Sequence, residues 1–144
     1  MTFNQVINEI KTICESHAMI KAVKYETPVE WINRGGVPDF PLVNYSIGSG
    51  SYNLGRELTY RIELWILDKS GSDGEYETEV ISDCHLIAGD IISVLRKQPK
   101  DYLISNSVTW ISLSEKFEDY LSGVKLTFDL SATNVLGPCD MPTI

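Results

Sequence analysis

From Arg56 to Asp68 the chain reads Arg-Glu-Leu-Thr-Tyr-Arg-Ile-Glu-Leu-Trp-Ile-Leu-Asp, and no other stretch constrains the fold as strongly. Leu58, Tyr60, Ile62, Leu64 and Ile66 fall on one side of an extended chain, with Thr59, Arg61, Glu63 and Trp65 on the other. Period-two alternation rich in β-branched and aromatic residues predicts a half-buried antiparallel strand. At about 3.4 Å per residue the strand is roughly 40 Å long, enough to reach past a small domain and pair with a neighbour.

The turn residues Lys69-Ser-Gly-Ser-Asp-Gly-Glu75 end that strand, and Ser72 with Glu75, or Asp73 alone, signals a helix start. In the predicted helix, Val80, Cys84, Ile87, Ile91 and Leu95 recur at spacings of three and four. Ile81, Ala88, Ile92 and Val94 widen the stripe, while Glu77, Glu79, Asp83, Asp90 and Arg96 keep a wet face. Pro99 is the expected stop. Gly89 inside the helix costs about 1 kcal/mol against alanine, so it is expected to mark a close approach to the sheet.

The remaining elements fit around this strand and helix. Thr2 and Gln5 make a capping box for a helix from Thr2 to Ala18, with Phe3, Val6, Ile10, Ile13 and His17 as its apolar stripe. Ile20–Tyr25 and Pro41–Ser49 read as strands. Between them, Glu26–Phe40 is irregular and carries Trp31 and Ile32. A loop of that length is either a contact arm or a tucked segment whose Trp31 completes the core. Gly48–Gly55 reads as a flexible connection into the long strand, making a hairpin with a projecting tip. Asn106–Glu115 and Val124–Ser131 alternate as two closing strands around a hairpin loop, Lys116–Gly123. The expected fold is α+β: a mostly antiparallel sheet of about five strands, wet on one side, with two helices on one face. Residues 1–134 form a single domain, and residues 135–144, with two prolines and no periodicity, form a C-terminal arm.

A chain of 144 residues can bury a real core. A net charge of −8, without a cluster of Lys and Arg, speaks against a tight grip on nucleic acid. The densest basic spot, Arg96-Lys97 with Lys100, sits where cations oppose a helix dipole. Three cysteines at no metal-like spacing suit a reducing compartment. No apolar run approaches the ~20 residues of a membrane helix, and the N-terminus resembles neither a signal nor a transit peptide, so a cytosol-made protein without a membrane partner is expected.

Catalytic constellations are missing from the sequence. It has neither a Gly-rich phosphate loop with its lysine nor a serine nucleophile elbow. Cys14 with His17, and Cys84 with His85, could join in a zinc site if the two helices lay side by side. Both cysteines fall on apolar stripes, however, and neighbours on a helix point about 100° apart, so buried free thiols are the expected state. No metal, cofactor or catalytic residue is assigned. An enzyme whose site forms between subunits, using His17 or His85, is the remaining catalytic reading.

Taken as a whole, the N-terminal helix, "LTYRIELWILDK", a short polar loop and "EVISDCHLIAGDIISVL" followed by two strands resembles the tail-terminator and head-to-tail connector proteins of tailed bacteriophages. Phages with short tails and stacked neck rings, including the crAss-like group, look like the nearest relatives. The resemblance implies a virion protein that forms a six- or twelvefold ring at the neck, meets portal or adaptor and tail proteins, and lets DNA pass during ejection. It implies a subunit interface on the hairpin, for which Tyr45, Ile47, Tyr52, Leu54, Arg61, Glu63 and Trp65 are the candidates. Trp31, Ile32, Leu136, Met141 and Ile144 would reach adjoining rings. Asp73, Glu75, Glu77 and Glu79 are candidates to line the lumen, where their charge would keep DNA from adhering. The alternative is a small acidic binding or inhibitor module that caps a basic protein partner.

Overall fold

Helix α1 (Phe3–Glu15) begins with the predicted capping box: the Thr2 hydroxyl accepts from the Gln5 N–H (3.2 Å) and Gln5 Oε1 accepts from the Thr2 N–H (2.8 Å). Val6, Ile10, Ile13 and Cys14 are its buried face. The helix stops short of Ala18, where the Ser16 hydroxyl donates to the Ile13 carbonyl at 2.7 Å and leaves His17 in the following turn. The computed structural model describes residues 2–26, 39–71, 76–97, 101–116 and 121–133.

After α1 come strands β1 (Ala22–Tyr25), β2 (Leu42–Asn53) and β3 (Glu57–Lys69), helix α2 (Glu77–Arg96), and strands β4 (Tyr102–Ile104), β5 (Thr109–Lys116) and β6 (Leu121–Thr133). They form one six-stranded sheet in the order β1-β2-β3-β6-β4, with β5 also on β6. The α+β class is as expected; the strand count and one pairing differ. The three-residue β4 is too short to show a period. Strand β1 runs parallel to β2, Ala22 opposite Leu42 and Tyr25 opposite Tyr45, so the sheet is mixed. A parallel pair requires the chain to travel back along the sheet between Tyr25 and Leu42. That return is the physical reason for so long a connection between the two strands. Residues 27–38 of it, with Trp31 and Ile32, lie outside the described residues.

Two further expectations about the sheet are corrected. The long strand β3 offers no free edge, because it is paired along its length by β2 on one side and β6 on the other. Gly48–Asn53 is not a connection but the second half of β2, paired as far as Asn53 opposite Glu57. Its glycines and serines have little strand preference of their own; the ladder offered by β3 decides their conformation. The register shifts between Ile47 and Ser49, and the turn is made by Leu54, Gly55 (φ 78°) and Arg56 (φ 65°).

The core lies between one sheet face and both helices. Tyr60, Ile62, Leu64 and Ile66 of β3, Val124 to Leu130 on the same face of β6, and Val43 and Tyr45 of β2 meet the buried faces of α1 and α2. The opposite face is less wet than expected. Near the C-terminal end of β3, Leu42, Leu67 and Leu121 form a second, smaller buried cluster flanked by Trp65, Leu113 and Phe40. In α2 the predicted stripe of Val80, Cys84, Ile87, Ala88, Ile91 and Leu95 is buried as expected. Tyr76, without a side-chain cap, precedes its first turn; Ser72, Asp73, Glu75 and Pro99 lie outside the described residues.

Gly89 does not mark a close approach. It is exposed, and a Cβ there would meet open space. Gly89→Ala therefore removes backbone freedom from the unfolded chain without a clash, and stability rises by about 0.5–1 kcal/mol, read as a higher urea midpoint.

Candidate functional site

The hairpin named by the sequence divides at the register shift. Up to Ile47 it belongs to the core. Tyr45, 1% exposed, donates its hydroxyl to the Ile7 carbonyl at 3.2 Å, and burial pushes that hydroxyl up to about 12. Ile47 is buried as well. These two candidate interface residues are thus turned into the protomer, because α1 covers the helix-side face of β2 at this level. Beyond Ile47 the helix cover ends. Tyr52 is 84% exposed and Leu54 99% exposed. Together with Phe3 and Leu58, Tyr52 borders an open groove of about 350 Å³ on the helix side of the arm.

An aromatic group braces the root of this arm. Phe3 packs edge-on against Tyr25 (6.5 Å between centroids) and tilted against Tyr60 (6.0 Å), and Tyr25 is edge-on to Tyr45 (5.1 Å). The Tyr25 hydroxyl also lies against the outer edge of β2, donating to the Ile47 carbonyl and accepting from its N–H, both at 3.4 Å. A side chain there takes the place of the strand that β1 no longer supplies.

Arg61, Glu63 and Trp65, the other interface candidates, share the helix-free face. Arg61 Nε meets Asp129 Oδ1 at 3.3 Å, directly opposite in register. Lys125 Nζ lies 3.6 Å from Glu63 Oε1 and 5.3 Å from the centroid of the Trp65 ring. Cross-strand pairs of this exposure contribute at most about 1 kcal/mol each, so they set register and charge balance more than stability. Beside them Asn44 is fully buried, and neither its amide nitrogen nor its oxygen has a partner among the described residues.

Glu77 and Glu79 occupy the first turn of α2, on the helix side, where carboxylates favour the positive end of the helix dipole. Asp73, Glu75, Leu136, Met141 and Ile144 lie outside the described residues. At the other end of α2, Arg96 Nη2 donates to the carbonyls of Ser105 and Asn106, each at 3.0 Å, and so fixes the connection between β4 and β5. That structural role for a basic side chain is specific in a way that sequence spacing did not reveal.

The groups singled out for chemistry are engaged elsewhere. Burial pushes the Cys14 and Cys84 thiols up to about 12, so both are protonated at neutral pH and poor ligands or nucleophiles. His17 Nε2 lies 2.8 Å from Asp90 Oδ2, and its Nδ1 accepts from the Met19 N–H at 3.1 Å, tying the end of α1 to α2. His85 stacks edge-on against Trp110 at 4.5 Å. No group of three potential metal ligands is found among the described residues, and none of their helices is long and apolar enough to cross a membrane.

Sequence reasoning found strands at β2 and β5 but missed the state of their outer edges. The outer side of β2 past Ile47, and that of β5, have no paired strand among the described residues. On β5, Trp110 and Ile111 are each 57% exposed on opposite faces. The one available signal was the absence of charge and proline from Ser46–Asn53 and from Thr109–Ser114. No protein-family model matches the chain, and no curated protein matches it.

Proposed function

We propose that this chain is a structural subunit of an oligomeric ring at the neck of a tailed bacteriophage. The ring joins the portal or adaptor to the tail and leaves an opening for DNA. The observation that carries this reading is the arm formed by the distal halves of β2 and β3. It extends past the helix cover and presents Tyr52 and Leu54 almost fully to solvent on a paired, two-stranded support. Isolated exposed apolar side chains are ordinary, but an ordered arm tipped with them is suited to contact with another chain. In this reading His17 and His85 are packing residues, and the protein works by assembly rather than by chemistry.

A second reading is favoured by the net charge of −8: a small acidic module that caps a basic protein. Native mass spectrometry with negative-stain imaging of the purified protein separates the two. The ring reading expects closed oligomers, six- or twelvefold. A strict monomer that forms an equimolar complex with one basic protein would replace it with the second.

A further inference from the structure

We propose that neighbouring protomers join by antiparallel addition of β5 of one copy to the open half of β2, Gly48–Asn53, of the next. This seam rests on the ring reading above and names its contact. Polarity permits it. Strand β5 is antiparallel to β6, β6 to β3, and β3 to β2, so β5 and β2 run in opposite directions and a continued sheet remains antiparallel across the join.

The two edges also suit each other. Natural proteins guard free edges with charges, prolines or cover, and an unguarded edge recruits another strand. Neither Gly48–Asn53 nor Thr109–Ser114 holds a charged residue or a proline, in a chain whose charged content is 22%. The first is built of glycine and serine with a single large side chain, and the second presents Trp110 and Ile111 half-exposed. Small side chains on one strand leave room for large ones on the other. Different edges at the two ends of one sheet make a head-to-tail contact, which propagates until it closes into a ring.

Their offset fits closure. Through the registers of β6 and β3, Ile111 stands level with Asn44, whereas the open half of β2 is centred near Gly50. Asn44 lies opposite Trp65 and Gly50 opposite Tyr60, so with the register shift at Gly48 the offset is five ladder steps, or roughly 17 Å along the strands. One protomer contributes four strand positions, β2, β3, β6 and β5, about 4.8 Å apart, so this stagger tilts the strands by about 40°, within the range of closed barrels. The bulkier helix layer takes the larger radius, and the helix-free face then lines the channel. There Arg61 with Asp129 and Lys125 with Glu63 present balanced charge to passing DNA, while Glu77 and Glu79 stay on the outer, helix side.

The test places cysteines across the seam in a Cys139→Ser background: Ser49→Cys with Ile111→Cys, and Ser51→Cys with Thr109→Cys. Mild oxidation of the rings should give a ladder of covalent oligomers from at least one double variant and none from the single variants. Ile111→Lys, at an exposed position, should leave the circular dichroism and Tm of the protomer unchanged while abolishing rings. Rings that neither cross-link nor dissolve in Ile111→Lys would overturn the seam and leave the ring reading standing. A protein that is monomeric and uncross-linked at every concentration would overturn both.

Discussion

Replacing Gly123 by alanine lowers the stability of the protomer by about 3 kcal/mol, measured as a fall in urea midpoint with unchanged slope. A Cβ at this position would run into the Ile66 carbonyl oxygen and fall 2.9 Å from its carbonyl carbon and 3.1 Å from the Leu67 Cα. All three are backbone atoms of the central strand, so no side chain can rotate aside. Gly123 sits between Leu67 on one side and Leu113 of β5 on the other, and β6 cannot move away from β3 without crowding β5. A loss below about 0.5 kcal/mol would show that the strands separate easily here and that β3–β6 packing is looser than described.

The second large effect separates the two faces of one strand. Leu64→Ala removes a fully buried side chain beneath the helices and costs about 3 kcal/mol, through lost burial and the cavity left behind. Glu63→Ala, one residue away on the helix-free face, loses a partly exposed pair with Lys125 and costs no more than about 1 kcal/mol. In thermal unfolding the difference corresponds to a Tm gap of about 5–10 °C for a chain of this size. Equal losses would mean that Glu63 and Lys125 are covered by something beyond the protomer, as a channel seam or a second ring would do.

The faces of β3, β6 and α2 were legible in the sequence because each buries one side only. On such an element the residue period is the burial pattern, and Ile62, Leu64, Phe128, Ile87 and Ile91 could be placed inside without coordinates. The capping box of α1 was legible for a similar reason, since Thr2 and Gln5 complete it within a single turn. Gly89 was misread because propensity records what a glycine costs and not what lies beside it. Tyr45, named as a candidate for the subunit interface, lies inside the protomer, because alternation names a face without telling which part of that face a helix will cover.

Local order thus determined the α+β class, the identity of the two helices and the inward residues of the long strands, all of which follow from side-chain periods of two and 3.6. Tertiary structure alone decided the rest: the parallel pairing of β1, the extension of β2 through glycine and serine, the small strand β4, and the edges of β2 and β5 that no strand among the described residues pairs. These depend on which strand comes to lie beside which. Backbone hydrogen bonds between strands are nearly indifferent to side-chain identity, so a short or glycine-rich segment acquires its structure from its neighbour and carries little trace of it in its own residues.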